Sequence, residues 1–241
     1  MIGFGTLLNT AGIAAGGLIG HFIGKVFREE QQASLNVACG VSVLFIGIAG
    51  AMEGMLRIAG GALSGGRSML VVLCLALGCV IGELLGIEEG FERFGIWLRN
   101  KTGNSRDAGF VNAFVTASLT VCIGAMAIVG AIRDGMLGDA SVLAVKAVLD
   151  FIIIAVMTSS MGKGCVFSAI PVFVFEGSVT LLARLIAPVM TEAAIAYLSL
   201  VGSILIFCVG VNLVWGKRVR VANLLPATAL AVLAAYLPVA W

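Results

Sequence analysis

Charge is what this chain has least of. Only 12% of its residues are Asp, Glu, Lys or Arg, against about 25% in a soluble domain. The few present fall almost entirely between long apolar stretches. The net charge is +2 and no basic run is long enough to hold nucleic acid. A single histidine, His21, excludes a multi-histidine metal centre. Neither G-x-S-x-G nor H-E-x-x-H occurs, which removes two common catalytic devices. The run Thr158-Ser159-Ser160-Met161-Gly162-Lys163-Gly164 lacks the glycine spacing and the following Ser/Thr of a phosphate loop, and reads as a turn. Cys39, Cys74, Cys79, Cys122, Cys165 and Cys208 stand singly in apolar segments with no C-x-x-C pair. They are expected as small packing residues, with no metal and no disulfide framework. No Lys or Arg precedes Lys25, so residues 2–24 are expected as a retained span rather than a secretory signal. No room remains for a soluble catalytic domain, and neither enzymatic activity nor a cofactor is expected.

What fills the chain is hydrophobic sequence, 60% of all residues. Eight apolar stretches, at 2–24, 37–56, 69–86, 108–132, 140–159, 164–186, 193–215 and 224–241, alternate with short polar gaps. Several reach about 18 residues, enough for a helix to cross a hydrocarbon core of about 30 Å. The expected fold is an all-α polytopic membrane bundle of about eight transmembrane helices, forming a single domain over residues 1–241 with the lipid bilayer as its first partner. Lys25, Arg28, Arg93, Arg99, Lys101, Arg106, Lys163, Lys217, Arg218 and Arg220 follow the odd-numbered stretches, whereas only Arg57, Arg67, Arg133 and Arg184 lie on the opposite side. That bias places the first group in the cytoplasm and both termini outside.

The longest gap, 87–107, carries Ile87, Phe91, Phe94 and Leu98 on one helical face, with Glu88, Glu89, Glu92, Arg93 and Arg99 on the other. An amphipathic helix over 87–100 is expected, lying along the membrane surface or packed on the bundle. A glycine-rich unit occurs twice. Gly16-Gly17-Leu18-Ile19-Gly20-His21-Phe22-Ile23-Gly24 aligns with Gly78-Cys79-Val80-Ile81-Gly82-Glu83-Leu84-Leu85-Gly86, and the following stretches echo each other. This reads as an internal duplication of a helical hairpin, 1–60 and 69–137. Glycines at 12, 16, 20 and 24, and at 78, 82, 86 and 90, would each strip one helix stripe bare for close packing. The same faces could join copies in a homo-oligomer.

Ionisable groups at membrane depth cost several kcal/mol unless paired or wet, so each is a candidate site. Asp150 and Glu176 lie near the middles of stretches five and six. Lys146, one turn before Asp150, could pair with it. Glu176 sits between Pro171 and Gly177, a context that suggests a helix broken at the midplane. A neutral Glu176 bonded to a neighbour is the other reading. Asn9, Asn112, Thr116, Ser118, Thr120 and Asn212 can bond between helices, and Asn9 and Asn212 join Asp150, Glu176, Lys146 and Gly177 as candidate solute- or ion-binding residues. His21 and Glu83, at matching repeat positions, could meet as a gate or ion pair, or sit solvated at helix ends. Glu53 and Arg57 look like an interfacial pair.

Three blocks carry a family likeness: Ile123-Gly124-Ala125-Met126-Ala127-Ile128-Val129-Gly130, Ala169-Ile170-Pro171-Val172-Phe173 and Val221-Ala222-Asn223-Leu224-Leu225-Pro226-Ala227. Together they resemble the bacterial family called domain of unknown function 554, over essentially the whole chain. The resemblance implies a bacterial cytoplasmic-membrane location and a helical bundle. It assigns no substrate and no functional residue, and implies that position 176 is polar without always being acidic, which counts against proton coupling at Glu176 and leaves solute binding there open. The leading expectation is a transporter of an unknown small solute or cation with a midplane site between stretches five and six. The alternative is a membrane scaffold or partner subunit whose buried charges are structural.

Overall fold

A computed structural model of the chain describes residues 1–59 and 62–238. Its helices in chain order are α1 (Phe4–Gly24), α2 (Glu29–Met55), α3 (Ser68–Leu85), α4 (Ile87–Lys101), α5 (Phe110–Cys122), α6 (Ala125–Leu137), α7 (Ser141–Met161), α8 (Ala169–Leu181), α9 (Ala183–Ile186), α10 (Glu192–Trp215) and α11 (Pro226–Ala234). Six of them, counting α8 with the 3-10 turn Lys163–Ser168 before it, are long and apolar enough to cross a membrane. The protein is an all-α membrane bundle. Its outer surface is apolar, with Leu84, Val148 and Leu181 among the most exposed side chains, while Asn9, Lys146, Asp150 and Glu176 are inside.

Three expected spans differ from the structure. The stretch 108–132 is two helices, α5 and α6, bent by 62° at Ile123-Gly124. Ile123 is extended, and Gly124 has φ 148°, a backbone that a side chain would strain. The opposite holds at Pro171 and Gly177, where a broken helix was expected: α8 runs unbroken through both. Pro171 is the third residue of α8, where the missing N–H has no helical acceptor to lose. The stretch 224–241 forms α11 and the preceding 3-10 turn Val221–Leu224, which falls short of the roughly 20 residues a spanning helix needs; residues 239–241 lie outside those described. An unforeseen two-stranded hairpin, β1 (Leu56–Ala59) and β2 (Ala62–Gly65), joins α2 to α3 with Leu56 opposite Gly65. The expected Glu53–Arg57 pair depends on a side chain outside those described.

Glycine explains how the helices pair. A methyl group on Gly12 would stand 2.9 Å from the carbonyl oxygen of Ala147, and one on Gly24 2.7 Å from that of Ser159. At Gly16 and Gly20 it would overlap the carbonyls of Phe151 and Ala155 outright. Partner numbers rise in step along both helices, so α1 and α7 run parallel, backbone against backbone. On α2 the partners descend, from Leu213 at Gly40 through Phe207 and Ser203 to Leu200 at Gly54, so α2 and α10 are antiparallel. Gly78 faces Ala227 and Gly82 faces Asn223, which makes α3 and α11 antiparallel as well.

The two glycine-rich units differ in what they meet. The α1 glycines meet a parallel partner, whereas those of α3 meet an antiparallel one, so the two copies do not pack alike. Gly86 instead ends α3 in the left-handed conformation at φ 61°, and Gly90 meets nothing. The α1 stripe is covered by α7, and the first half of the α3 stripe by Ala227 and Asn223. The amphipathic segment is α4, which packs on α5 with Gly95 and Leu98 buried, while Trp97 stays exposed and stacks on Phe94. Glu88, expected on its wet face, is 3% exposed.

Gly20→Ala should lower thermal stability by about 1–3 kcal/mol, the usual cost of forcing a methyl into a packed contact. Gly90→Ala, on an open helix surface, should leave it equal or higher. Thermal unfolding of the two purified variants against wild type checks both.

Candidate functional site

Four elements bring ionisable groups together in the interior. Lys146 and Asp150 share the inward face of α7 with Leu143, Ala147, Ile154 and Met157. Asn9 projects from the buried stripe of α1, and Glu176 from that of α8. The fourth contribution is backbone. In a continuous helix the Val121 carbonyl would accept from residue 125, but the break at Ile123-Gly124 frees it. It accepts a hydrogen bond from Lys146 Nζ at 2.8 Å. The end of a helix carries partial negative charge, so an ammonium suits it.

Lys146 also pairs with Asp150 through Oδ2, and its Nζ stands 3.6 Å from Glu176 Oε1. Asn9 Nδ2 donates to that same Oε1 at 2.8 Å. Lys146 is 6% exposed, Asp150 5%, and Asn9 and Glu176 not at all. Within this cluster two buried oxygens lack a partner, Glu176 Oε2 and Asn9 Oδ1; Asp134 Oδ1 and Thr158 Oγ1 are in the same state elsewhere. One ammonium thus faces two carboxyl groups with acceptors left over, an arrangement suited to holding a proton or a small cation. Among the described residues no group of three His, Cys, Asp or Glu is placed to hold a metal.

Below this cluster a second buried acid does structural work that the sequence did not reveal. Asp134 of α6, wholly buried, accepts from the amides of Gly5 at 2.9 Å and Thr6 at 3.3 Å, and so caps α1, whose own N-terminus offers no capping side chain. Thr6 and Thr180 join α1 to α8 through their hydroxyls at 3.0 Å. Gly177 does not loosen α8. A methyl there would meet only Thr6, at 4.0 Å, so it marks a loose spot between α8 and α1.

At the basic end of the bundle the candidates part company. Glu83 pairs with Arg220 at 2.7 Å rather than with His21. His21 lies against a separate polar cavity of about 370 Å³ with Gln32, Asp107 and Lys163. The two were matched by repeat position, and the repeat does not pack alike. Asn212 lies apart from the cluster, at the wall of a further polar cavity: Nδ2 donates to the Val219 carbonyl at 2.7 Å, and Oδ1 accepts from the amides of Arg218 and Val219, which pins the turn after α10. Glu88 accepts from Lys217 at 2.9 Å and from the Ala222 amide at 3.0 Å, and Lys217 also reaches Glu92 at 2.5 Å. Partial burial pulls the Lys217 ammonium down, but hydrogen bonds to Glu92 and Glu88 outweigh it and hold the group above its ordinary value.

Two cavities approach the cluster from this end. A polar vestibule of about 570 Å³ is lined by Asn36, Glu88, Asn112, Thr116, Leu119 and Lys217. An apolar cavity of about 250 Å³ lies at the helix break, against Leu119, Cys122, Ile123, Gly124, Pro171 and Phe175. Leu119 belongs to both. Cys122 is the residue after Val121 and lies within electrostatic reach of Lys146, Asp150 and Glu176. A single step of backbone separates the cavity from the charges.

A family model described as "Protein of unknown function (DUF554)" matches residues 4–236. The chain is 30% identical over 224 residues to "Uncharacterized membrane protein YdfK" of Bacillus subtilis (strain 168), covering 93% of this chain and 92% of that one. It is 28% identical over 231 residues to "Uncharacterized protein YqgA" of Escherichia coli (strain K12), covering 94% of each. No solved structure matches at a significant level.

Removing one member of a buried ion pair costs about 3–5 kcal/mol because a charge is left alone. Lys146→Met should therefore lower stability by about that much, and the double variant Lys146→Met, Asp150→Asn should recover most of the loss. A double-mutant cycle read by thermal unfolding tests the pairing.

Proposed function

This chain belongs to the DUF554 family of membrane proteins, and on that premise we propose that it transports a small solute or ion through a site formed by Lys146, Asp150, Glu176 and Asn9. The observation that carries the reading is the meeting of three ionisable side chains with a freed helix-end carbonyl, inside a bundle of apolar helices and beside a bend between α5 and α6. Discontinuous helices with exposed carbonyl ends suit ion and solute sites in membranes, because they offer charge and backbone acceptors where side chains are scarce. The charge bias of the loops supports a bacterial cytoplasmic-membrane location with both termini outside, and sets the vestibule on the cytoplasmic side.

In this reading the vestibule is the inner entrance and the break cavity the last chamber before the site. Leu119 and Cys122 close the way between cavity and charges. Movement of α6 relative to α5 about Ile123-Gly124 opens it, and the Lys217–Glu88–Glu92 contacts hold the mouth. No step makes or breaks a covalent bond, and no enzymatic role is proposed.

A second reading, a scaffold with structural charges, is favoured by one observation. Neither cavity is lined by Lys146, Asp150 or Glu176, so the cluster opens into neither of them. Asp150→Asn separates the two. Lys146 keeps Val121 and can turn to Glu176, so the variant should express and fold.

Screening the purified protein against cations, amino acids, carboxylates and metals should find one class that raises thermal stability, by about 2.7 kcal/mol at a hundredfold excess over Kd. In vesicles the same class should show flux that Asp150→Asn abolishes at unchanged expression. No shift across the panel, together with poor expression of Asp150→Asn, would favour the scaffold.

A further inference from the structure

Glu176 Oε2 and Asn9 Oδ1 are both buried without a partner, and they belong to two side chains already joined by the Asn9 Nδ2–Glu176 Oε1 bond. An amide carbonyl and an ionised carboxylate are acceptors only, so these two oxygens cannot satisfy each other. One hydrogen changes that. A carboxylic acid donates from one oxygen and accepts at the other, as a primary amide donates from nitrogen and accepts at oxygen. The two groups then close a ring of two antiparallel hydrogen bonds, amide N–H to Oε1 and Oε2–H to Oδ1. We propose that Glu176 holds a proton in such a carboxyl–amide ring with Asn9, and that this proton is the coupling ion of the site.

Charge balance points the same way. The groups facing Glu176 are Asn9 and Thr6 from α1, Lys146 and Asp150 from α7, and Cys122 at the end of α5. Asp134 of α6 is committed to the Gly5 and Thr6 amides, and Thr180 on α8 itself to Thr6. Lys146 is the one cation among them. Its ammonium is bonded to Asp150 and to the Val121 carbonyl, and at 3.6 Å it lies beyond bonding distance of Glu176. With Glu176 neutral the cluster sums to zero. With Glu176 ionised, one negative charge stands uncompensated in a dry interior, at high cost.

The consequence of release rests on the transport reading; the protonation does not. When the proton passes from Oε2 to water, the freed carboxylate competes with Asp150 for Lys146. The ammonium then moves toward α8 and lets go of Val121, which removes the hydrogen bond that ties α7 to the end of α5 beside the break. Proton occupancy thereby sets whether the bend is clamped or free.

Infrared spectroscopy of the full chain in lipid vesicles at neutral pH tests this. Wild type should show the C=O stretch of a protonated carboxyl, which Glu176→Gln removes and Asn9→Ala moves to the position of an acid without that partner. Glu176→Gln supplies an amide that closes the same ring, so its melting temperature should match wild type. A wild type without the band, a band undiminished in Glu176→Gln, or a Glu176→Gln melting temperature as low as that of Lys146→Met overturns the proposal. The band present while no solute in the panel gives flux leaves the protonation standing and sinks transport. Flux without the band does the reverse.

Discussion

In a bilayer the lipid tails are as apolar as leucine, so helices gain nothing by hiding leucine from them. What holds this bundle is close approach of backbones, and the contact between α1 and α7 sets everything nearby. Four glycines at four-residue intervals lie over four carbonyls at the same interval. Each such approach brings Cα–H groups onto carbonyl oxygens, individually worth about 0.5–1 kcal/mol. The closeness also decides which side chains meet. Asn9 reaches Glu176 across to α8 because no side chain on the stripe holds α1 away from its neighbours.

Around that seam the usual arrangement of a soluble protein is inverted. Apolar side chains face outward, and the interior holds a polar column from Asp134 and the α1 N-terminus, through Thr6 and Thr180, to the Lys146 cluster. A polar interior in lipid must satisfy its own donors and acceptors. Asp134 does so at Oδ2 by capping α1, Lys146 by taking a helix-end carbonyl, and Glu88 at the far end by pairing with Lys217 and the Ala222 amide. Glu176 Oε2, Asn9 Oδ1 and Asp134 Oδ1 are the oxygens of this column left without a partner.

Much of this was legible in the sequence. Apolar runs give the helical membrane class, and charges inside them single out Lys146, Asp150 and Glu176, which do meet. Spacing alone pairs Lys146 with Asp150, since one turn of helix sets them together. Other features depend on distance in the chain. Nothing near Glu176 names Asn9, and the glycine beside the acid suggested a break that lies instead at Gly124, in a run apolar enough to read as one span. Asp134 carries no such signal, because its partners are amides at the opposite end of the sequence. Asn212 is a polar residue inside an apolar stretch, near enough to the helix end to fold back on its own turn, a role that spacing does not reveal.

The pairing of helices also constrains how the molecule can be built. None of the first three helices packs chiefly on another of the three; α1 waits for α7, α2 for α10 and α3 for α11. While the chain is being made, the glycine seams of its first half lie open to lipid, and the helices that will close them have yet to be synthesised. Insertion and assembly must therefore be separate events, with the early helices parked as independent spans until the late ones arrive. Contacts of such long sequence separation form slowly. A ribosome that stalls after α6 would release a set of inserted helices with no native partner among them for the α1 stripe.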